Sequence, residues 1–123
     1  MRPSIRHIST IDGGDPAGFE PDDVERFSIT LRLIIGPADS DGDESFDLVV
    51  CSPLWLEREC ERDGFVSGRH RLIVRRYDFG FLRRTIVKLI EHYSGDTWPE
   101  VAEKISRLAC WEFEDYQAAD STD

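Results

Sequence analysis

Apolar and polar residues alternate along residues 27–51 of the chain. Apolar side chains occupy the odd positions of the first half of this stretch and positions 46, 48 and 50 of the second half. A period of two places alternate side chains on opposite faces of a β-strand. The pattern predicts a β-hairpin with strands at 27–35 and 45–51, the first ending at Gly36-Pro37 because proline cannot donate to a strand ladder. Its predicted inner face comprises Phe27, Ile29, Leu31, Leu33, Ile35, Phe46, Leu48 and Val50.

Three further segments have strand-like patterns. Residues 3–11 carry isoleucines between polar residues, and they predict a weak first strand. Residues 69–76 alternate His70, Leu72 and Val74 with arginines and Ile73, which predicts another strand. Residues 111–116 also alternate, and they predict either a short strand or an extended segment on the core.

Two helices are predicted after the hairpin from their caps and apolar spacing. The first occupies residues 53–63, with Ser52 as its N-cap and Gly64 as its end. The second extends from its cap, Asp78, through Tyr93, because apolar residues recur there at intervals of three and four.

A third helix is predicted after Thr97, whose spacing from Glu100 is that of a capping box. Hairpins pair antiparallel, so the order of elements predicts an α+β fold. We expect an antiparallel sheet of about four strands with three helices packed mainly on one face. Residues 1–116 are predicted to form a single domain, and residues 117–123 a disordered acidic tail.

Composition limits the possible partners and the compartment. A hydrophobic content of 40% allows a core, and the net charge of −10 disfavours nucleic acid and anionic membranes as partners. Such a charge favours attraction to a basic partner. Three cysteines without a C-x-x-C motif argue for a reducing compartment. No apolar stretch approaches the roughly 20 residues of a membrane span, and no signal peptide is visible. We therefore expect a cytoplasmic protein.

Charge is unevenly distributed along the chain. Residues 38–44, here called the acidic loop, carry four acids and connect the two predicted hairpin strands. Residues 66–93 hold seven bases and two acids, a net charge of +5. These bases form a basic island that is either compensated by acids of neighbouring segments or serves as an acid-binding patch. The island comprises Arg69, Arg71, Arg75, Arg76, Arg83, Arg84 and Lys88.

No catalytic residue, metal site or cofactor is predicted. The acidic loop has the acids that begin a calcium loop, but its sixth position is Glu44 instead of glycine and its twelfth is Val50 instead of glutamate. Cys51 lies on a patterned strand, which favours inert packing over nucleophilic chemistry. His70 shares a predicted strand face with apolar residues, which favours a hydrogen-bonded interior histidine over a catalytic base.

Six fragments occur in an order and spacing that resemble a known family. They are residues 33–37, 44–47, 51–56, 68–70, 95–98 and 111–116. Across residues 27–116 the chain is similar to the eighth family of immunity proteins of bacterial polymorphic toxin systems, immunity protein 8. The resemblance implies a small cytosolic α+β protein, encoded beside a toxin, that protects its producer by binding the toxin domain.

The resemblance carries over no binding residues, so the predicted contacts rest on charge and exposure. The first predicted surface is the acidic loop, with Asp39, Asp41, Asp43 and Glu44 facing a basic region of the toxin. Further candidates are Trp55, as an exposed anchor, and the acids Glu112, Glu114 and Asp115. Two other functions remain open. An acidic adaptor or structural protein would not protect against a toxin, and a small enzyme would act on a small molecule without a protein partner.

Overall fold

The computed structural model describes residues 1–113 and confirms the predicted α+β class, with three helices and a five-stranded sheet. A single 3-10 turn at Pro16–Gly18 interrupts the long connection after the first strand. The elements, in chain order, are β1 (Pro3–Thr10), β2 (Ser28–Pro37), β3 (Glu44–Cys51), α1 (Pro53–Asp63), β4 (Arg71–Ile73), α2 (Phe79–Glu91), α3 (Trp98–Ile105) and β5 (Cys110–Trp111).

The sheet has the order β1-β2-β3-β4, and β5 pairs with β3 next to β4. The pairs β1–β2, β2–β3 and β3–β5 are antiparallel, as expected, and β4 is parallel to β3. This parallel pair follows from α1, which carries the chain back from the end of β3 before β4 begins. The sheet has five strands, one more than the predicted number of about four.

The hairpin packs its predicted inner face against the core. Leu31 lies opposite Leu48 and Leu33 opposite Phe46, and all four side chains are buried. The strand ends at the predicted stop, Gly36-Pro37, but it includes both residues, so it continues two residues beyond the predicted last residue, Ile35. Pairing with β3 stops at Ile35, so the missing N–H of Pro37 leaves no bond to β3 unmade.

Two helices cover the inner face of the sheet. Buried side chains come from α2 and α3, whereas α1, described over its whole length, contributes none. Asp78 caps α2 as predicted, but the helix ends at Glu91, before Tyr93. The buried helical residues are Leu82, Ile86, Ile90, Val101, Ala102 and Ile105.

The fourth strand is shorter than the predicted 69–76. His70 has a left-handed backbone with φ of 57°, so the extended conformation begins only at Arg71. After Ile73, the backbone N–H of Val74 donates to the Cys51 carbonyl at 2.9 Å, and the chain leaves the sheet. Among residues 1–113, no helix is long and apolar enough to cross a bilayer. The tail predicted at 117–123 lies outside the described residues.

Candidate functional site

The acidic loop joins the buried strands β2 and β3, so both of its ends are fixed. Asp39, Asp41 and Asp43 are exposed. Within residues 1–113 none of these three carboxylates forms an ion pair. Their charges are therefore directed into solvent from a fixed part of the fold.

The loop folds back over the end of β2. The carbonyl oxygen of Gly42 lies so close to Gly36 that a Cβ atom at position 36 would be 2.0 Å from it. Gly42 itself has φ of 96°, a conformation that glycine adopts without strain. The path of the loop thus requires a residue without a side chain at position 36.

Arg6 holds the base of the loop through a β-bulge in β1. The register of β1 against β2 shifts between Ile5 and His7, which leaves Arg6 as the extra residue. Its Nη2 atom donates to the carbonyls of Pro37 and Ser40, at 2.7 and 2.9 Å. The guanidinium therefore bonds to the backbone of the loop and leaves the loop carboxylates unpaired.

Glu44 is bonded differently from the other three acids of the loop. It is half-buried, and its two carboxylate oxygens accept the indole N–H groups of two tryptophans. Trp98 Nε1 donates to Oε1, and Trp111 Nε1 donates to Oε2 at 3.1 Å. Glu44 thus ties the start of β3 to α3 and β5. The expectation that all four loop acids are exposed is correct for the three aspartates and wrong for Glu44.

Glu112 lies beside the same loop. Its Oε1 atom accepts the backbone N–H of Ser45 at 2.7 Å, while its own N–H donates to the Ser45 carbonyl at 3.1 Å. The structure therefore brings Glu112 next to Glu44, as a side chain already hydrogen-bonded to β3. Glu114 and Asp115 lie outside the described residues.

Trp55 lies at the opposite end of β3 from the acidic loop. Seven residue steps separate Glu44 from Cys51, which at about 3.3 Å each span roughly 23 Å. The Trp55 ring is half-exposed, and the Arg71 guanidinium lies over it at 5.5 Å from the ring centroid. The structure thus places Trp55 apart from the acidic candidates, in a cation–π contact.

Cys51 and His70, the two side chains considered for catalysis, are packed into the fold. Cys51 is buried, and this burial raises the pKa of its thiol despite the nearby Arg71. A raised pKa disfavours the thiolate that nucleophilic catalysis needs. His70 is half-buried, and its Nε2 lies 2.8 Å from the Ser106 carbonyl oxygen. Within residues 1–113, no three His, Cys, Asp or Glu side chains are arranged to hold a metal ion.

A sequence model of the family described as Immunity protein 8 matches residues 4–116 of the 123-residue chain. The chain belongs to the immunity protein 8 family. The match begins within β1, so it extends further towards the N-terminus than the predicted resemblance over 27–116. No curated protein and no solved structure matches the chain. Membership of the immunity protein 8 family indicates an immunity protein.

Sequence reasoning missed the residues that position the loop in this immunity protein 8 member. Arg6 had a signal, because Ile5 and Ile8 are three residues apart and a regular strand would place them on opposite faces. With the bulge, they pair with Ile35 and Leu33, and both pack against the core. No comparable signal in the sequence identified Trp98 and Trp111, since nothing local indicates that two distant indoles meet one carboxylate.

Proposed function

We propose that this chain is an immunity protein that binds a cognate toxin domain and neutralises it by stoichiometric protein–protein inhibition. The family match over residues 4–116 carries the proposal. The site of action would be the cytoplasm of the producing cell, and residues 1–116 would act as a single domain.

The acidic loop is the proposed contact with a basic surface of the toxin. Asp39, Asp41 and Asp43 are exposed, lie within five residues and have no ion pairs among residues 1–113, so their fields add. Arg6 and Glu44 hold the two ends of the loop in position. A loop that is already ordered loses less conformational entropy on binding than a free segment does.

The remaining predicted contacts are assigned to two different parts of the surface. Glu112 is exposed beside the loop, and we assign it, with Glu114 and Asp115, to the edge of the same interface. Trp55 belongs to a different part of the surface, because it lies at the far end of β3. We therefore expect the loop to be the first contact and Trp55 to contribute independently.

A titration tests the proposal. The toxin would be the variable C-terminal domain of the protein encoded immediately upstream, and its activity would be measured as this chain is added. We expect inhibition to level off near one equivalent. A toxin domain from an unrelated system serves as the control and should stay active.

Two outcomes would contradict the proposal. Complete inhibition far below one equivalent, with the toxin chemically altered, would indicate an enzyme. The absence of both binding and protection would favour an acidic adaptor or structural protein.

A further inference from the structure

A groove beside the edge strand β4 combines apolar side chains with arginines. Its volume is about 510 Å³, and it lies between β4 and the first turns of α2. Two large apolar side chains in its lining are half exposed, Ile73 at 51% and Phe81 at 50%. Exposed apolar groups that are grouped in this way are typical of interaction sites.

The charged groups of the groove are predominantly basic. Arg75 forms an exposed ion pair with Glu25 at 3.2 Å, whereas Arg76 and Arg84 have no ion pair within residues 1–113. The acid of the lining, Asp78, accepts the backbone N–H of Phe81 as the cap of α2. In a protein with a net charge of −10, the groove is therefore a local basic surface, and compensation by neighbouring acids does not account for Arg76 and Arg84.

The backbone of β4 offers an open edge along this groove. The backbone carbonyl of His70 accepts the Val49 N–H at 3.1 Å, and the backbone N–H of Val74 donates to the Cys51 carbonyl at 2.9 Å. Peptide groups alternate in direction along a strand, so those of Ile73 point away from β3. No described strand pairs with that side of β4. Extended segments bind such edges through backbone hydrogen bonds, and neighbouring pockets select their side chains.

We infer that this groove is a second docking surface, whose occupant is an extended acidic segment of the cognate toxin bearing a large apolar side chain. The inference rests on the proposed function. The acids of the segment would pair with Arg76 and Arg84, and its apolar side chain would pack between Ile73 and Phe81. Arg71, two residues before Ile73, shares its strand face and contacts Trp55, so Trp55 lies next to this surface.

Matched pairs of variants test the groove with the toxin domain encoded immediately upstream as the probe. Arg76→Glu/Arg84→Glu changes the net charge as much as Arg58→Glu/Arg107→Glu does, and the control arginines are exposed elsewhere. Ile73→Ser is matched by Ile11→Ser, whose side chain is 55% exposed. We expect each groove variant to raise the Kd by about tenfold or more, and each control by less than about twofold.

The outcomes separate this inference from the proposed function. Equal binding by the wild type, the groove variants and the controls would contradict the docking role of the groove and leave the immunity function intact. No binding by the wild type would defeat the proposed function itself. If groove variants lose only self-association in sedimentation and bind the toxin normally, the occupant is a second copy and the inference is wrong. Should Ile73→Ser unfold, as judged by circular dichroism, the arginine pair decides, because its side chains are exposed.

Discussion

Among single residues, Glu44 connects distant parts of the chain beside the acidic loop. Its carboxylate accepts from Trp98, 54 residues away, and from Trp111, 67 residues away. A carboxylate has an oxygen for each indole, so both donors are satisfied in a half-buried place. Glu44 therefore fixes the position of the end of the loop, and the three aspartates supply its exposed charge.

We predict that Glu44→Gln lowers the free energy of unfolding by about 1–3 kcal/mol, because its amide group faces one indole N–H that then has no acceptor. Asp43→Asn, one residue earlier and exposed, should change it by less than about 0.5 kcal/mol. Urea unfolding of both variants measures the difference. Equal midpoints for the two variants would show that the indole contacts contribute nothing.

Tyr77 is the residue whose titration reports on the fold. Its hydroxyl donates to the Pro16 carbonyl at 2.5 Å, and its ring contacts Phe19 and Phe27 edge-on. Burial, and secondarily the charge of Asp15, raises the pKa of Tyr77 to about 12. The neutral hydroxyl is thus favoured in the folded chain.

This shift makes stability depend on alkaline pH. Below about pH 10, the unfolded pKa of tyrosine, the contribution is fully present. Between there and about 12 the unfolded chain ionises first, so the contribution is lost as pH rises. We predict that urea midpoints of the wild type fall more steeply between about pH 10 and about pH 12 than those of Tyr77→Phe. Parallel pH profiles would contradict the assignment.

At the scale of elements, a β-bulge and a glycine together set the path of the acidic loop. The bulge turns Arg6 towards the carbonyls of Pro37 and Ser40, and Gly36 leaves room for the Gly42 carbonyl. Bulges commonly redirect a side chain near the end of a sheet. Here the redirected side chain fixes the segment that carries the three exposed aspartates.

We predict that Gly36→Ala destabilises the protein by about 1–3 kcal/mol, because the added methyl group overlaps the backbone of the loop. Gly18→Ala is the matched control, since a Cβ atom there would meet nothing within 4 Å. Urea unfolding of the two variants compares them directly. Equal stabilities would mean that the loop moves aside at no cost.

Part of this architecture follows from local pattern alone. A period of two identifies the inner face of the hairpin because both of its strands bury one face, and caps such as Asp78 indicate where the helices start. The end of β2 at Pro37, the short β4 and the parallel pairing depend on contacts between distant segments. For the same reason the sequence indicated the exposed aspartates of the site but not the role of Glu44 or the groove beside β4.

At the scale of the whole molecule, charge of opposite sign lies at the two ends of β3. The acidic loop precedes β3, and the groove with Arg76 and Arg84 borders the strand that pairs with its last residues. The two surfaces are roughly 23 Å apart along the strand, so they can be changed independently. A partner that contacts both would need surfaces of both signs.

We predict that neutralising the loop with Asp39→Asn/Asp41→Asn/Asp43→Asn slows association with the toxin domain by about tenfold or more at low salt. Exposed charges act mainly on encounter, and salt screens them over about 8–10 Å near physiological ionic strength. The effect should therefore shrink at high salt in stopped-flow measurements. Glu44 is left unchanged, because its removal would also release the two tryptophans.

The control for this experiment is Glu57→Gln/Glu61→Gln/Glu103→Gln, which removes the same number of negative charges from exposed helical positions. Its association rate should stay within about twofold of the wild type. If both triple variants slow association equally, net charge and not the loop governs encounter. If neither does, the loop is a solvated turn and the toxin binds elsewhere.

The two indoles on Glu44 also give the molecule a natural optical signal. They are two of its three tryptophans, and both ring nitrogens bond to the residue at which the acidic loop ends. Indole emission responds to the polarity and hydrogen bonding around the ring, and two of the three tryptophan rings lie beside this loop. Movement of the loop on docking would therefore appear as a change in emission, and binding could be followed without a dye or a tag.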